Sequence, residues 1–294
     1  MTRPAIGLIG LGLVGSALAD RLVGAGRRVI GWDIDDARRG ALRERGGDVA
    51  RDVHEVFSTC SRVLLSLPSH REVGDVMRAA GATLGRGLTI IDTTTGDPAS
   101  SEELATALHE QGVIYLDATI SGSSAQVRAG STTLMVGGDA ESVAACSDIF
   151  TLIGSQVFHT GPTGTGAKMK LVTNLVLGLN RAALAEGLAF AESIGLDPTL
   201  SLAVMRGSLA YSRIMDTKGE RMIRGDFAPD ARLSQHLKDV RLIVDIGHHA
   251  GLPMALSAAH RTVLEEAEAT GYGELDNSAI IKVLGAASRN RVTE

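Results

Sequence analysis

Three polar side chains share one face of a long apolar segment that has helical spacing. Lys170, Asn174 and Arg181 are four and seven residues apart, so at about 100° per residue they fall within roughly 40° of one another on a helix. Polar groups that are buried without partners are costly, so such a stripe needs a reason. One reason is a cleft beside a cofactor, in which the amine of Lys170 donates or accepts a proton. A lysine that reaches solvent from the helix start is the other.

Residues 5–33 have the spacing of a unit that binds a dinucleotide. A short apolar run leads into Gly10-x-Gly12-x-x-Gly15, and a helical stretch and a second apolar run then end at Asp33. Gly10 permits a tight turn, Gly12 lets a pyrophosphate approach the backbone, and Gly15 lets the helix pack on the strand. The helix start adds N–H donors and the positive end of its dipole. The alternative is a glycine turn in another kind of strand–helix unit. The predicted phosphate contacts are Gly10, Leu11, Gly12, Leu13, Val14 and Gly15.

Asp33 bears on the choice between NAD and NADP. A carboxylate at this position accepts hydrogen bonds from the ribose hydroxyls and repels a 2′-phosphate. Arg38 and Arg39 follow only after Asp35 and Asp36, too far along the chain to form an obvious phosphate clamp. The sequence therefore predicts NAD in preference to NADP, unless Asp33 merely ends its strand.

The composition narrows the class of protein. The chain has 294 residues, 44% of them hydrophobic and 21% charged, which suits two globular domains. The net charge is −5 and there is no basic tract, so we expect no nucleic acid partner. No apolar stretch is long enough to span a bilayer, and the first strand begins close to Met1, so we expect neither membrane nor signal peptide and place the protein in the cytoplasm. Cys60, Cys146 and the histidines lack metal-ligand spacing, so no metal is expected.

Strand and helix patterns alternate through the first half of the chain, which is typical of a doubly wound parallel sheet. A helical pattern of about 27 residues then runs from 168 to 194, roughly 40 Å long at 1.5 Å per residue. It is apolar on nearly all sides, so we expect it to be buried between domains or subunits. Only helical patterns follow. The strands expected after Asp33 cover 63–67, 88–92, 113–117, 133–136 and 156–159.

We therefore predict an α/β protein in two parts. A Rossmann-like, NAD-binding domain covers 1–163, and an all-α domain for substrate binding and oligomerisation covers 164–294, with the long helix between them. Because this helix exposes more apolar surface than one small domain can cover, we also predict a homodimer or homotetramer.

Several segments resemble, in order, the motifs of the β-hydroxyacid dehydrogenase family. This family includes 3-hydroxyisobutyrate dehydrogenase, tartronate semialdehyde reductase and glyoxylate/succinic semialdehyde reductase. The matching segments are the glycine turn, Leu67-Pro68, D-T-T-T-G-D-P at 92–98, D-A-T-I-S-G-S at 117–123, G-x-G-x-x-x-K-x-x-x-N at 164–174, Lys238-Asp239 and D-N-S-A at 276–279.

The resemblance implies roles for the residues that meet the substrate. Lys170 is then the catalytic acid/base, which protonates the carbonyl oxygen in reduction and takes the hydroxyl proton in oxidation. Asn174 orients the substrate hydroxyl. Ser121, Gly122 and Ser123 offer hydroxyls and backbone N–H groups to the substrate carboxylate.

The resemblance also implies contacts with the cofactor. Leu67 and Pro68 lie beside it, and Thr95 lies near the nicotinamide ribose. Lys238 reaches it from the second domain, and Asp239, itself at the substrate site, helps to hold Lys238 or Lys170 in place. Without the resemblance, Lys238 and Asp239 read as a solvated helix face.

Two departures from the family pattern bear on the substrate. Thr119 stands where the family has proline, and Ser123 stands where it has a second glycine. We expect these hydroxyls to change the lining of the substrate loop and to suit a more polar or differently shaped acid than hydroxyisobutyrate.

The reading that follows is an NAD-dependent oxidoreductase that acts on a small 3-hydroxy acid or its semialdehyde. One alternative is an imine reductase on the same architecture, although those enzymes usually lack the lysine. The other is a dinucleotide-binding module without catalysis, which the presence of Lys170, Asn174 and Ser121 disfavours.

Overall fold

The computed structural model describes residues 4–289. The chain divides into two compact units that meet between Lys170 and Leu171. This division falls inside one long helix, a few residues after the boundary at 163/164 that the sequence predicts. The predicted domains also include residues 1–3 and 290–294, which lie outside the described residues.

The first unit is built on one eight-stranded sheet. Its strands are β1 (Ile6–Ile9), β2 (Val29–Trp32), β3 (Asp48–Val49), β4 (Arg62–Leu65), β5 (Thr89–Asp92), β6 (Ile114–Ser121), β7 (Thr132–Gly137) and β8 (Gly154–Gly161). They pair in the order β3-β2-β1-β4-β5-β6-β7-β8. The order reverses between β1 and β4, which is the switch point where doubly wound sheets bind ligands.

Helices fill the connections of this unit, and side chains of the central strands alternate between two cores. Leu8 and Leu64 belong to one core, whereas Ile9 and Leu65 belong to the other, as the two-residue period of a strand requires. The helices are α1 (Leu13–Gly24), α2 (Asp36–Glu44), α3 (Val53–Thr59), α4 (His70–Ala80), α5 (Pro98–Glu110), α6 (Ser124–Ala129), α7 (Ala140–Ala145) and α8 (Ser147–Ile153).

One strand pair departs from the parallel pattern. β7 runs antiparallel to β6, with Thr119 opposite Met135, while β8 is again parallel to β7. Residues 122–131 join β6 to β7, and a parallel crossover needs a dozen or more residues. The short connection therefore returns the chain in the opposite direction. Elsewhere the predicted doubly wound sheet is confirmed.

Residues 171–289 of the second unit form helices and the loops that join them, and the only β pairing among them is an isolated bridge between Arg232 and Asp276. This confirms the predicted helical second part. Its apolar core includes Leu184, Leu202, Leu237 and Leu264. The helices are α9 (Thr165–Ser193), which begins in the first unit, α10 (Pro198–Arg206), α11 (Glu220–Arg224), α12 (Leu233–His249), α13 (Ala255–Ala267) and α14 (Ile281–Arg289), with π-helical turns at Met215–Gly219 and Glu268–Tyr272 and a 3₁₀ turn at Asn277–Ile280.

The long helix α9 is not buried on all sides. Val172, Val176 and Phe190 are exposed, and their spacing places them within roughly 40° of one another on the helix. Ile194, which is also exposed, follows directly after the last residue of the helix. The stripe of Lys170, Asn174 and Arg181 lies on the opposite face and is buried. Within one chain, α9 is covered only at the polar stripe and at the apolar positions beside it. The expectation that the rest of this helix is buried against a second subunit stays a prediction.

Candidate active site

The glycine turn after β1 has the room that a pyrophosphate needs. A Cβ on Gly10, whose φ is +90°, would lie 2.3 Å from the carbonyl oxygen of Ser66, and one on Gly15 would lie 1.9 Å from that of Gly10. A Cβ on Gly12 would find only Arg38 Nη1, 3.9 Å away. The N-terminus of α1 carries no side-chain cap and no acid in its first turn. These residues fit the phosphates of a dinucleotide.

Asp33 ties this turn to the end of β2. Its Oδ2 accepts a hydrogen bond from the Leu11 N–H at 2.6 Å and its Oδ1 accepts one from the Asp35 N–H at 2.9 Å. Arg38 Nη1 lies 3.5 Å from Asp33 Oδ2, and Arg39 donates to the Asp33 carbonyl. The two arginines are therefore close to Asp33 despite their later position in the sequence, because the first turn of α2 folds them back.

The other predicted loops follow the carboxyl ends of neighbouring strands. Leu67 comes after β4, Thr95 after β5, and Ser121 ends β6. Because these strands are parallel neighbours, the loops lie at one edge of the sheet, together with the glycine turn after β1. The Leu67 N–H donates to Thr94 Oγ1 at 3.2 Å, which joins two of the loops. Pro68 is exposed and Thr95 half-buried.

The loop after β6 presents Ser121, half-buried, and Gly122, exposed. Gly122 has a φ of +156°, and a Cβ there would lie 2.7 Å from the Thr132 side chain, so the turn requires glycine. Ser123 caps α6, since its Oγ accepts the Gln126 N–H at 3.3 Å while Gln126 Oε1 accepts the Ser123 N–H at 2.8 Å. Its hydroxyl thus serves the helix start.

Thr119 does not line the substrate loop. It is 0% exposed, and its Oγ1 donates to the Gly166 carbonyl of α9 at 2.9 Å. The expectation that this hydroxyl changes the lining is therefore wrong, since the side chain points from the strand to the helix start. Sequence reasoning also assigned no role to Asp117, whose carboxylate accepts the Gly164 N–H at 2.9 Å and the Ala167 N–H at 2.8 Å. A strand with acid, threonine and serine at alternate positions is the signal that could have shown this row.

Lys170 lies in the first turns of α9 and is only 8% exposed. This burial argues against the alternative of a lysine that reaches solvent. One turn further, Asn174 Nδ2 donates to Asp239 Oδ2 of α12 at 2.9 Å, and both side chains are buried. Lys238 Nζ lies 3.4 Å from Asp239 Oδ1. Asp239 thus holds Asn174 and Lys238, while the predicted contact of Lys238 with the cofactor stays a prediction.

Arg181 completes the buried stripe inside the second unit. Burial lowers the pKa of its guanidinium to about 10, against the attraction of Asp276. The rings of His236 and His260 lie 5.3 Å apart and pack over Gly178 of α9. Burial and the nearby Arg181 charge lower the pKa of His260 to about 4, so this imidazole is neutral near pH 7. Along α9, the stripe therefore carries first the amine of Lys170, then the amide of Asn174, and last the buried guanidinium of Arg181.

Within residues 4–289, metal binding, a reactive thiol and a membrane-spanning helix all lack structural support. No three His, Cys, Asp or Glu side chains in that range converge as metal ligands. Cys60 and Cys146 are buried thiols, and burial raises the pKa of Cys60 to about 11, which makes it a poor nucleophile near pH 7. No helix among the same residues is long and apolar enough to cross a membrane.

Two family models match almost the whole chain. The model described as the NAD binding domain of 6-phosphogluconate dehydrogenase matches residues 5–161. The model described as NAD-binding of NADP-dependent 3-hydroxyisobutyrate dehydrogenase matches residues 164–284.

Individual proteins agree with these models. The chain is 32% identical to 2-(hydroxymethyl)glutarate dehydrogenase of Eubacterium barkeri, over 95% of this chain and 94% of that protein. It is 29% identical to 2-hydroxy-3-oxopropionate reductase of Escherichia coli K12, over 95% and 96%. The crystal structure of a 3-hydroxyisobutyrate dehydrogenase from Salmonella typhimurium has a TM-score of 0.88 at 24% identity, covers 96% of this chain and 100% of that one, and supports the fold. With the dinucleotide turn and the buried lysine, these matches show that the chain belongs to the β-hydroxyacid dehydrogenase family of nicotinamide-dependent oxidoreductases.

Proposed function

We propose that the protein transfers hydride between NAD and a small 3-hydroxy acid or the matching semialdehyde, with Lys170 as the general acid/base. The substrate is of the 3-hydroxyisobutyrate or tartronate semialdehyde type. The observation that carries this proposal is a lysine, 8% exposed, in the first turns of a helix bonded to the strand that ends at Ser121.

Lys170 and Asn174 supply the proton chemistry. The bound nicotinamide supplies or accepts the hydride. In reduction the ammonium of Lys170 donates a proton to the carbonyl oxygen, and in oxidation the neutral amine takes the proton of the hydroxyl group. Asn174, one helical turn away, directs its amide to the substrate hydroxyl, and the bond from its Nδ2 to Asp239 Oδ2 at 2.9 Å fixes that amide.

The loop after β6 binds the substrate carboxylate. Ser121 offers a hydroxyl and Gly122 offers a backbone N–H group, in a turn that requires glycine. Ser123 stays a proposed contact from the same turn, although its own N–H is donated to Gln126. An anion held by such dipoles needs no full counter-charge. The curated relatives are named for 2-(hydroxymethyl)glutarate and 2-hydroxy-3-oxopropionate, and both names describe small carboxylic acids, which supports a substrate of this class.

We also propose NAD as the preferred cofactor. The carboxylate of Asp33 ends β2 beside the glycine turn, where it accepts ribose hydroxyls and repels a 2′-phosphate. Leu67, Pro68 and Thr95 line the nicotinamide end, and Lys238 adds a contact from α12.

Exchange of Lys170 for methionine tests the role of the amine. We expect Lys170→Met to lower kcat/KM for semialdehyde reduction about 10³-fold, within the range of general acid catalysis, without weakening NADH binding by more than about threefold, since its apolar stem keeps the packing of lysine. The measurement is NADH oxidation with a panel of semialdehydes, with NADH affinity from fluorescence titration.

Lys168→Met is the matched control. Lys168 is on the same helix, exposed and paired with Glu102 at 2.7 Å, so its loss leaves the rate near that of the wild type. Undiminished turnover by Lys170→Met would contradict the acid/base role. Wild-type protein that reduces cyclic imines and no semialdehyde would instead favour an imine reductase. Tight NADH binding without turnover of any carbonyl or imine would favour a non-catalytic module.

A further inference from the structure

The buried face of β6 and the first turn of α9 are joined by three side-chain hydrogen bonds. Asp117 accepts the N–H groups of Gly164 and Ala167 at 2.9 and 2.8 Å, and Thr119 donates to the Gly166 carbonyl at 2.9 Å. Asp117 is 2% exposed and Thr119 is 0% exposed. We infer that Asp117 and Thr119 are positioning residues, which fix the helix that carries Lys170 relative to the substrate loop; this rests on the proposed role of Lys170.

The first turn of α9 is packed closely against β6. A Cβ on Gly166 would lie 2.4 Å from the Asp117 carbonyl oxygen and 2.6 Å from that of Met135. The first turn of α9 therefore touches the backbones of β6 and β7 directly. A helix packed this closely cannot slide or rotate by an ångström without breaking the bonds to Asp117 and Thr119.

The same turn sets the direction of Lys170. Ala167 and Gly166 lie three and four residues before it, so the face of α9 that meets β6 continues into Lys170. In an α-helix the Gly166 carbonyl is also the i−4 acceptor of the Lys170 N–H. Thr119 thus donates a hydrogen bond to the same carbonyl oxygen that accepts one from the Lys170 N–H.

The strand carries the same register to the substrate loop. Side chains of Asp117, Thr119 and Ser121 share one face of β6, because the strand period is two. The first two hold the helix, and the third is the candidate contact with the substrate carboxylate. One strand therefore sets the positions of both the proton donor and the carboxylate loop.

The charge of Asp117 belongs to this arrangement. Burial raises the pKa of its carboxyl, while the N–H groups of Ala167 and Gly164 counter that rise, and the charge of nearby Asp92 adds to it. A carboxylate at a helix N-terminus is stabilised by the helix dipole. Removal of this group leaves two N–H donors buried without an acceptor.

Asp117→Ala and Thr119→Val test the inference. We expect Asp117→Ala to lower kcat about 10²-fold, the cost of a displacement near 1 Å, and Thr119→Val to lower it about fivefold, since it loses one of the three bonds. We expect KM for the carbonyl substrate and Kd for NADH to change less than about threefold, because neither Asp117 nor Thr119 touches the substrate or the cofactor. Asp117→Asn keeps one acceptor oxygen and restores part of kcat.

Asp52→Ala is the control for a merely structural loss. Asp52 caps α3 by accepting the Glu55 N–H at 2.9 Å, far along the chain from α9, so it lowers stability without lowering kcat. Hydrogen exchange over 162–170 gives a readout that needs no activity, and we expect faster exchange in Asp117→Ala but not in Asp52→Ala. If Asp117→Ala leaves hydrogen exchange over 162–170 unchanged, or if its kcat equals that of Asp52→Ala, the inference is overturned. Full activity of Lys170→Met would contradict the proposed function instead. The hydrogen exchange result would still show whether Asp117 fixes the first turn of α9 on β6.

Discussion

Asp33 combines two tasks in one carboxylate. It holds the glycine turn through the Leu11 N–H at 2.6 Å, and it faces Arg38 Nη1 at 3.5 Å. The negative charge repels a 2′-phosphate, whereas the guanidinium attracts one. We therefore propose that the balance between these two side chains sets the choice between NAD and NADP.

Asp33→Asn shifts this balance. We expect the wild type to prefer NADH, and the variant to lower the ratio of kcat/KM for NADH over NADPH at least tenfold, because Arg38 loses its opposing charge. Steady-state rates with both cofactors measure the ratio. The double variant Asp33→Asn/Arg38→Met serves as control and gains no use of NADPH. A ratio unchanged by Asp33→Asn would show that the carboxylate acts on the turn alone.

Helical spacing sufficed to predict that Lys170, Asn174 and Arg181 share a face, because a 3.6-residue period is a local property. It could not show that Asn174 donates to Asp239, since that bond joins residues 65 positions apart. The role of Thr119 was also out of reach. Whether a strand side chain faces a ligand loop or a neighbouring helix depends on packing that the sequence does not print.

The helices and strands were predicted where a local sequence pattern marks them. They were missed where the length of a connection sets the strand direction or where the strand is too short to show a pattern. The glycine turn, the strands of the parallel core and the long helix follow from periodicity and turn residues. The antiparallel β7 follows from a connection too short for a crossover, and the two-residue strand β3 is too short to leave a pattern. The register of α9 on β6 needs the backbone contact at Gly166, which only the fold reveals.

Gly178 shows what close packing of α9 requires. A Cβ there would lie 2.7 Å from His236 Nε2 and 2.8 Å from His260 Cε1, and both rings are buried. We expect Gly178→Ala to lower the free energy of unfolding by about 1–3 kcal/mol through overpacking. Urea titration followed by circular dichroism measures the change.

The matched control lies on the same helix. A Cβ on Gly187 would meet Met205 Sδ at 3.6 Å, an ordinary contact. Gly187→Ala is therefore expected to stabilise by about 0.5–1 kcal/mol, the helical preference for alanine over glycine. Equal effects of the two substitutions would mean that the histidine rings yield without cost.

At the scale of the whole molecule, α9 departs from the usual pattern of a surface helix. It buries a polar stripe beside core residues such as Leu184 and Leu188, and it also exposes an apolar stripe, which surface helices usually turn towards the core. The apolar stripe runs from Val172 to Phe190, about 27 Å at 1.5 Å per residue, and exposed Ile194 follows the end of the helix. Exposed Leu200 and Val204 of α10 follow it in the chain. A large exposed apolar surface marks an interaction site, and we propose that a second copy of the chain covers this one.

A charge on this stripe tests the proposed assembly. Phe190 is 63% exposed, and large aromatic side chains dominate the energy of interfaces. We expect the wild type to elute as a dimer or tetramer in size-exclusion chromatography with light scattering, and Phe190→Glu to dissociate at micromolar concentration, since a carboxylate buried between subunits lacks a partner. Leu252→Glu, at a residue 58% exposed and outside α9, keeps the assembly. A monomeric wild type, or an assembly that survives Phe190→Glu, would mean that the exposed stripe has some other partner.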